Sequence, residues 1–95
     1  IDDEVGRLLD MLDQQDRLKD TLIIFSSDHG DLLGDHWLGE KEYFFENAIR
    51  VPLIVVDPRA SANATRGQSS DAFVECVDVT PTILDALHLP AQEHG

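Results

Sequence analysis

The sequence predicts an α/β fold with a largely parallel sheet flanked by helices. Three observations point to it: an opening stretch with helical spacing, two short runs that are apolar at nearly every position, and a helix start signal near the end. Helices alternating with strands are the pattern of layered α/β architectures.

Ile1, Val5, Leu8, Leu9 and Leu12 recur at i, i+4, i+7, i+8 and i+11, which lines one face of a helix. Asp2, Asp3 and Glu4 fall in its first turn, where they complement the positive end of the helix dipole. This amphipathic helix should run roughly four turns and fade near Gln14–Arg17. Thr21 to Phe25 reads as a strand, branched and apolar on both faces, as in a parallel strand covered on both sides. Val51 to Val56 repeats that pattern, with Pro52 tolerated at a strand start. Asp57-Pro58 ends the run, and residues 57–71 read as a surface loop. Phe73 to Val79 predicts a third, shorter strand interrupted by Glu75. Thr80-Pro81 opens the last helix, with Thr80 as N-cap and Pro81 at the first helical position. Ile83, Leu84 and Leu87 supply its buried stripe, it stops before Pro90, and the last five residues are expected to fray. Two helices are too few to cover strands of this kind, and open edges of buried-type strands are a liability. The pattern therefore predicts one segment, residues 1–95, cut from a larger sheet.

Ninety-five residues with 42% hydrophobic and 27% charged side chains suit a globular protein rather than a disordered tail. The net charge of −12 repels phosphodiester backbones and argues against nucleic acid as a partner. No apolar run is long enough to span a membrane, and the acidic opening has the wrong charge for a leader peptide. The single cysteine excludes an internal disulfide and a cysteine-based zinc site, and suits a reducing, cytoplasmic setting.

The densest chemistry lies in "SSDHGDLLGDHWLGEK", directly behind the first strand. Ligands in open parallel sheets bind beyond the carboxyl ends of strands, where Asp28 and His29 stand. A carboxylate beside an imidazole suits a divalent cation, and Gly30 lets the backbone turn tightly. Two such residues cannot complete a coordination sphere. Read alone, such a pair is more often a polar turn in which Asp28 caps and His29 is merely exposed.

The whole stretch resembles the alkaline phosphatase superfamily, in particular its sulfatase branch and the phosphonate monoester hydrolase and arylsulfatase-like enzymes. There S-D-H-G is followed by L-G-D-H and then by a lysine thirteen residues after the aspartate, here Lys41. Glu40, between Gly39 and Lys41, departs from the family's pattern. "FFENAIRVPLIVVDP" is similar to the family's E-x-x-x-R-x-P segment through Glu46, Arg50 and Pro52, and "FVECVDVTPTILDAL" to a stretch near the end of its catalytic domain. The resemblance implies the C-terminal part of an alkaline phosphatase-like sandwich. It implies that Asp28 and His29 bind one divalent metal, calcium or manganese, and that Lys41 contacts the sulfuryl or phosphoryl oxygens of a small sulfate, phosphonate or phosphate ester.

Other residues in the loop carry weaker expectations. His36 is a candidate proton donor or simply a polar neighbour of Trp37; Asp35 is a candidate for orienting a histidine, and the remaining acids read as solvated. Arg50 is expected to pair with Glu46 at i, i+4, and Tyr43, Phe44 and Phe45 to pack in the core or line a leaving-group pocket. The family's nucleophile, a cysteine converted to formylglycine in C-x-[PA]-x-R, is absent, so formylglycine is expected upstream and the isolated chain should be inactive. Cys76, followed by Val77-Asp78-Val79-Thr80, reads as a small buried hydrophobe. The resemblance leaves a homo-oligomer of the parent protein open. Two other readings stay open as well: a two-metal phosphatase or phosphotransferase with a Ser or Thr nucleophile, and a non-catalytic acidic α/β module that binds metal or a protein partner.

Overall fold

Helix α1 spans Asp2–Gln14, with Val5, Leu9 and Leu12 half-buried along one stripe and Arg7 paired to Glu4 on the other face. The chain turns at Asp16, whose φ is 55°, and passes through a 3-10 turn at Leu18–Asp20. Strand β1 follows at Ile23–Ser26, within two residues of its expected limits. A long excursion holds a 3-10 turn at Asp35–Trp37 and the one-turn helix α2, Glu46–Ile49, before strand β2 at Leu53–Val56. Residues 57–71 form the expected loop, with a 3-10 stretch at Ala60–Thr65. Arg59 caps the end of β2 by donating to both carboxylate oxygens of Asp57, and this holds that carboxyl below the usual range. A 3-10 turn at Cys76–Asp78 leads into helix α3, Val79–Ala86. This computed structural model describes residues 1–90; the expected fraying of the last five lies outside the described residues.

The α/β character stands, but three details differ from the sequence reading. Among the described residues the sheet has two strands and is antiparallel, with Ile23 opposite Val56 and Ser26 opposite Leu53, not largely parallel. A run that is apolar at every position reports cover on both faces; it carries no information about strand direction. Phe73 to Val79 is not a strand either. Its apolar residues meet no backbone partner, and Val74 and Val79 instead lie across a small cleft from Ile24, Leu53 and Val55. The last helix begins two residues early: Asp78 occupies the cap position, and Pro81 sits third in the first turn, where its missing N–H leaves no helical bond unmade.

Only Leu32 and Ala48 are buried among the described residues, and both belong to the excursion between the strands. β2 is open to solvent, with Ile54 at 56% exposure. The surface of 8394 Å² exceeds the roughly 5,500 Å² that area scaling gives a compact chain of this mass. The apolar surfaces of the sheet are thus largely uncovered within this segment. No described helix is long and apolar enough to cross a membrane.

Candidate active site

Beyond β1 the backbone folds into a tight turn held by its own polar groups. Ser27 Oγ donates to the His29 carbonyl at 2.7 Å, and the Asp28 carboxylate accepts the His29 amide at 3.0 Å. His29 Nδ1 lies 2.7 Å from the Gly30 carbonyl. A carbonyl only accepts, so Nδ1 carries the proton and Nε2 presents a free lone pair. That Nε2 stands 3.4 Å from Asp28 Oδ2. Adjacent ligands on one ion at about 2.3–2.4 Å are separated by roughly 3.3 Å, so this oxygen and nitrogen fit a shared divalent cation. Chiefly the bond from the His29 amide holds the Asp28 carboxyl below its ordinary range, which keeps it ionised and ready to ligate. Among the described residues no third His, Cys, Asp or Glu completes a cluster.

Gly30 locks this turn against α2. Its amide donates to the Ala48 carbonyl at 2.8 Å, and a Cβ at this position would overlap the Asn47 carbonyl oxygen. Residues 31–41 then fold back on themselves around buried Leu32. Leu32 N–H donates to the Glu40 carbonyl at 2.9 Å, and Gly34 N–H to Leu38 at 3.0 Å. Leu33, His36, Trp37 and Glu40 all hold positive φ, between 49° and 60°. Such conformations cost side-chain-bearing residues on the order of 1 kcal/mol or more each and persist only where the surroundings impose them.

The closed loop returns Lys41 to the metal-capable turn. Asp28, His29 and Lys41 line one cleft of about 320 Å³, whose other wall is Glu42, Tyr43, Phe44, Ala48 and Ile49. Three residues named from the sequence therefore meet in one place. His36 does not line this cleft; its ring stacks on Phe45 with centroids 4.1 Å apart. Asp35 accepts a hydrogen bond from Asn47 Nδ2 at 2.7 Å rather than orienting a histidine. Arg50 reaches Glu46 at 3.8 Å, as the i, i+4 spacing predicts. Sequence reasoning missed Asn47, because its partner lies twelve residues away and no local spacing marks it.

Cys76 is exposed, not buried as its residue type suggested. Its sulfur lies behind the turn, 3.7 Å from the Ser27 carbonyl, and outside the residues that line the cleft. In the expected parent protein, Cys76→Ala should accordingly leave hydrolytic activity within about twofold, since nothing the thiol touches is more than a weak sulfur contact. A steady-state assay checks this, and a near-total loss of activity in a folded variant would overturn the non-catalytic reading of Cys76.

The chain is similar to known proteins. Over 92% of its length the chain is 46% identical to the multifunctional alkaline phosphatase superfamily protein PehA of Trinickia caryophylli, and over 94% it is 37% identical to an arylsulfatase of Clostridium perfringens. It spans only 16% and 18% of those relatives' own lengths. The crystal structure of a phosphonate monoester hydrolase of Agrobacterium radiobacter superposes with a TM-score of 0.86 at 37% identity, covering 94% of this chain and 17% of that one. The chain's α/β fold is thus that of a segment of this hydrolase. The sulfatase family model matches residues 1–89, and the chain belongs to the sulfatase family.

Proposed function

We propose that the chain is the C-terminal part of a larger metal-dependent hydrolase that cleaves small sulfate, phosphonate or phosphate esters. The observation that carries this is the convergence of Asp28, His29 and Lys41 on one cleft in a chain of the sulfatase family. The incomplete ligand set, the uncovered faces of the sheet and the short span against the relatives support a parent protein that supplies the rest.

In this reading Asp28 Oδ2 and His29 Nε2 hold a divalent ion that takes mixed oxygen and nitrogen ligands, calcium or manganese by the family resemblance. The ion would supply Lewis-acid polarisation of the ester oxygens. The Gly30 carbonyl fixes the tautomer in which Nδ1 bears the hydrogen and Nε2 faces the ion, and Asp28 is held ionised by the His29 amide. Lys41 approaches from the returning loop and offsets negative charge that builds on the nonbridging oxygens in the transition state. The nucleophile belongs to residues outside this chain, and a formylglycine made from an upstream cysteine fits the family.

Lys41→Ala in the parent protein should leave metal content unchanged and lower kcat by roughly 10²–10³, the loss that follows removal of one oxyanion donor. Metal analysis beside kinetics on 4-nitrophenyl sulfate and a 4-nitrophenyl phosphonate monoester tests it. Unchanged kcat on both would remove Lys41 from the site. Mass spectrometry of upstream peptides decides the nucleophile: a formyl group in place of a cysteine thiol supports the sulfatase mechanism, and an unmodified Ser or Thr in its place supports phosphoryl chemistry.

A further inference from the structure

Lys41 is an exposed lysine at the end of an exposed loop, yet the chemistry above needs its ammonium held at a fixed place beside Asp28 and His29. Something must fix that loop. Its internal bonds, Leu32 to Glu40 and Gly34 to Leu38, close it on itself but do not tie it to the rest of the site. Two side-chain contacts do. Asn47 Nδ2 donates to Asp35 Oδ2 at 2.7 Å, and the His36 ring lies on Phe45. Among the described residues, Asn47–Asp35 is the one side chain–side chain hydrogen bond between residues more than four apart. Asn47 also abuts Gly30 through its own carbonyl, so a single residue touches both the metal-capable turn and the loop that delivers the lysine.

We propose that Asn47 and Asp35 are positioning residues, a latch that sets the distance between Lys41 and the Asp28–His29 pair. The bond gives the strained loop an external reference: four non-glycine residues in left-handed conformations would otherwise relax toward other shapes. A carboxylate accepting from an amide is a charge-assisted bond, stronger than a neutral one, which suits a latch at an exposed site. The inference rests on the oxyanion role of Lys41 given above.

The test is a double-mutant cycle in the full-length parent protein, assayed on 4-nitrophenyl sulfate and a 4-nitrophenyl phosphonate monoester with metal content measured in parallel. Asp35→Ala should lower kcat about tenfold, as small misplacements of a catalytic group do, with metal content unchanged. In a Lys41→Ala background the same substitution should change kcat less than twofold, because the lysine it positions is gone. Asn47→Ala should behave like Asp35→Ala, and the exchanged pair Asp35→Asn with Asn47→Asp should recover most of the loss. The Asp35 side chain is exposed and its substitution leaves the backbone bond to Leu32 intact, so its variant keeps the test open even where Asn47→Ala folds poorly. Equal losses with and without Lys41, loss of metal in Asp35→Ala, or full activity in Asp35→Ala beside an impaired Lys41→Ala would each overturn the latch alone. Full activity in Lys41→Ala itself would overturn the lysine's role, and the latch with it.

Discussion

Asp28→Ala in the parent protein is expected to abolish turnover and metal binding together. The carboxylate offers one of the two atoms proposed to hold the ion, and its Oδ1 also fixes the His29 amide beside the second. Losing an outer-shell partner of a metal site costs 10–100-fold in affinity, so losing a ligand and its neighbour's tether should weaken binding by at least about 100-fold. The Asp28 side chain is 85% exposed, so little packing is lost and the fold should survive. Calorimetric titration with calcium and with manganese separates these effects, with circular dichroism as the check on folding. Asp31→Ala is the control, because that carboxylate accepts the Leu33 amide and lies outside the cleft. A folded Asp28→Ala protein with parental metal affinity and rate would remove the pair from the metal site.

Gly30→Ala should be nearly as damaging, by a different route. The added methyl meets the backbone carbonyl of Asn47, which cannot rotate aside, so the turn or α2 must move. Overpacking against a rigid neighbour costs about 3 kcal/mol at the upper end of the usual range. Movement would also stretch two bonds that start from this residue: its amide to Ala48, and its carbonyl to His29 Nδ1. Release of Nδ1 lets the imidazole change tautomer and lose the free Nε2 lone pair. Thermal unfolding with and without added metal should show a less stable protein that metal rescues weakly. Parental stability together with parental metal affinity would mean that the close approach of Gly30 to α2 is dispensable.

Much of this was legible in the residues themselves. Ile1, Val5, Leu8, Leu9 and Leu12 marked α1 because helical spacing is a local property, and the observed helix ends at Gln14, where the stripe gives out. The two apolar runs located both strands, yet their antiparallel pairing depends on a connection whose path no residue pattern encodes. Phe73 to Val79 has strand-like composition and no partner strand, so composition misled there. Asp28, His29 and Lys41 were visible through fixed spacing, and the structure brings them to one cleft. Asn47 was invisible, because its two contacts, Gly30 and Asp35, are set by folding rather than by order along the chain. Cys76 was misplaced because residue type predicts burial only on average, and this cysteine lies on a turn at the edge of the sheet.

The pairing of Ser26 with Leu53 has a consequence for how such a site can change over time. Both ends of the excursion that carries the loop are clamped as opposite members of one ladder, so its length is uncoupled from the sheet. Closure entropy grows only slowly with length, about 0.6 kcal/mol for each doubling of a flexible connection. Length changes in the excursion that spare the Asp28–His29 turn and the Asp35–Asn47 bond therefore cost little energy while β1 keeps its register with β2. A frame of this kind lets the rest of the excursion be rewritten without disturbing the turn proposed to bind the ion.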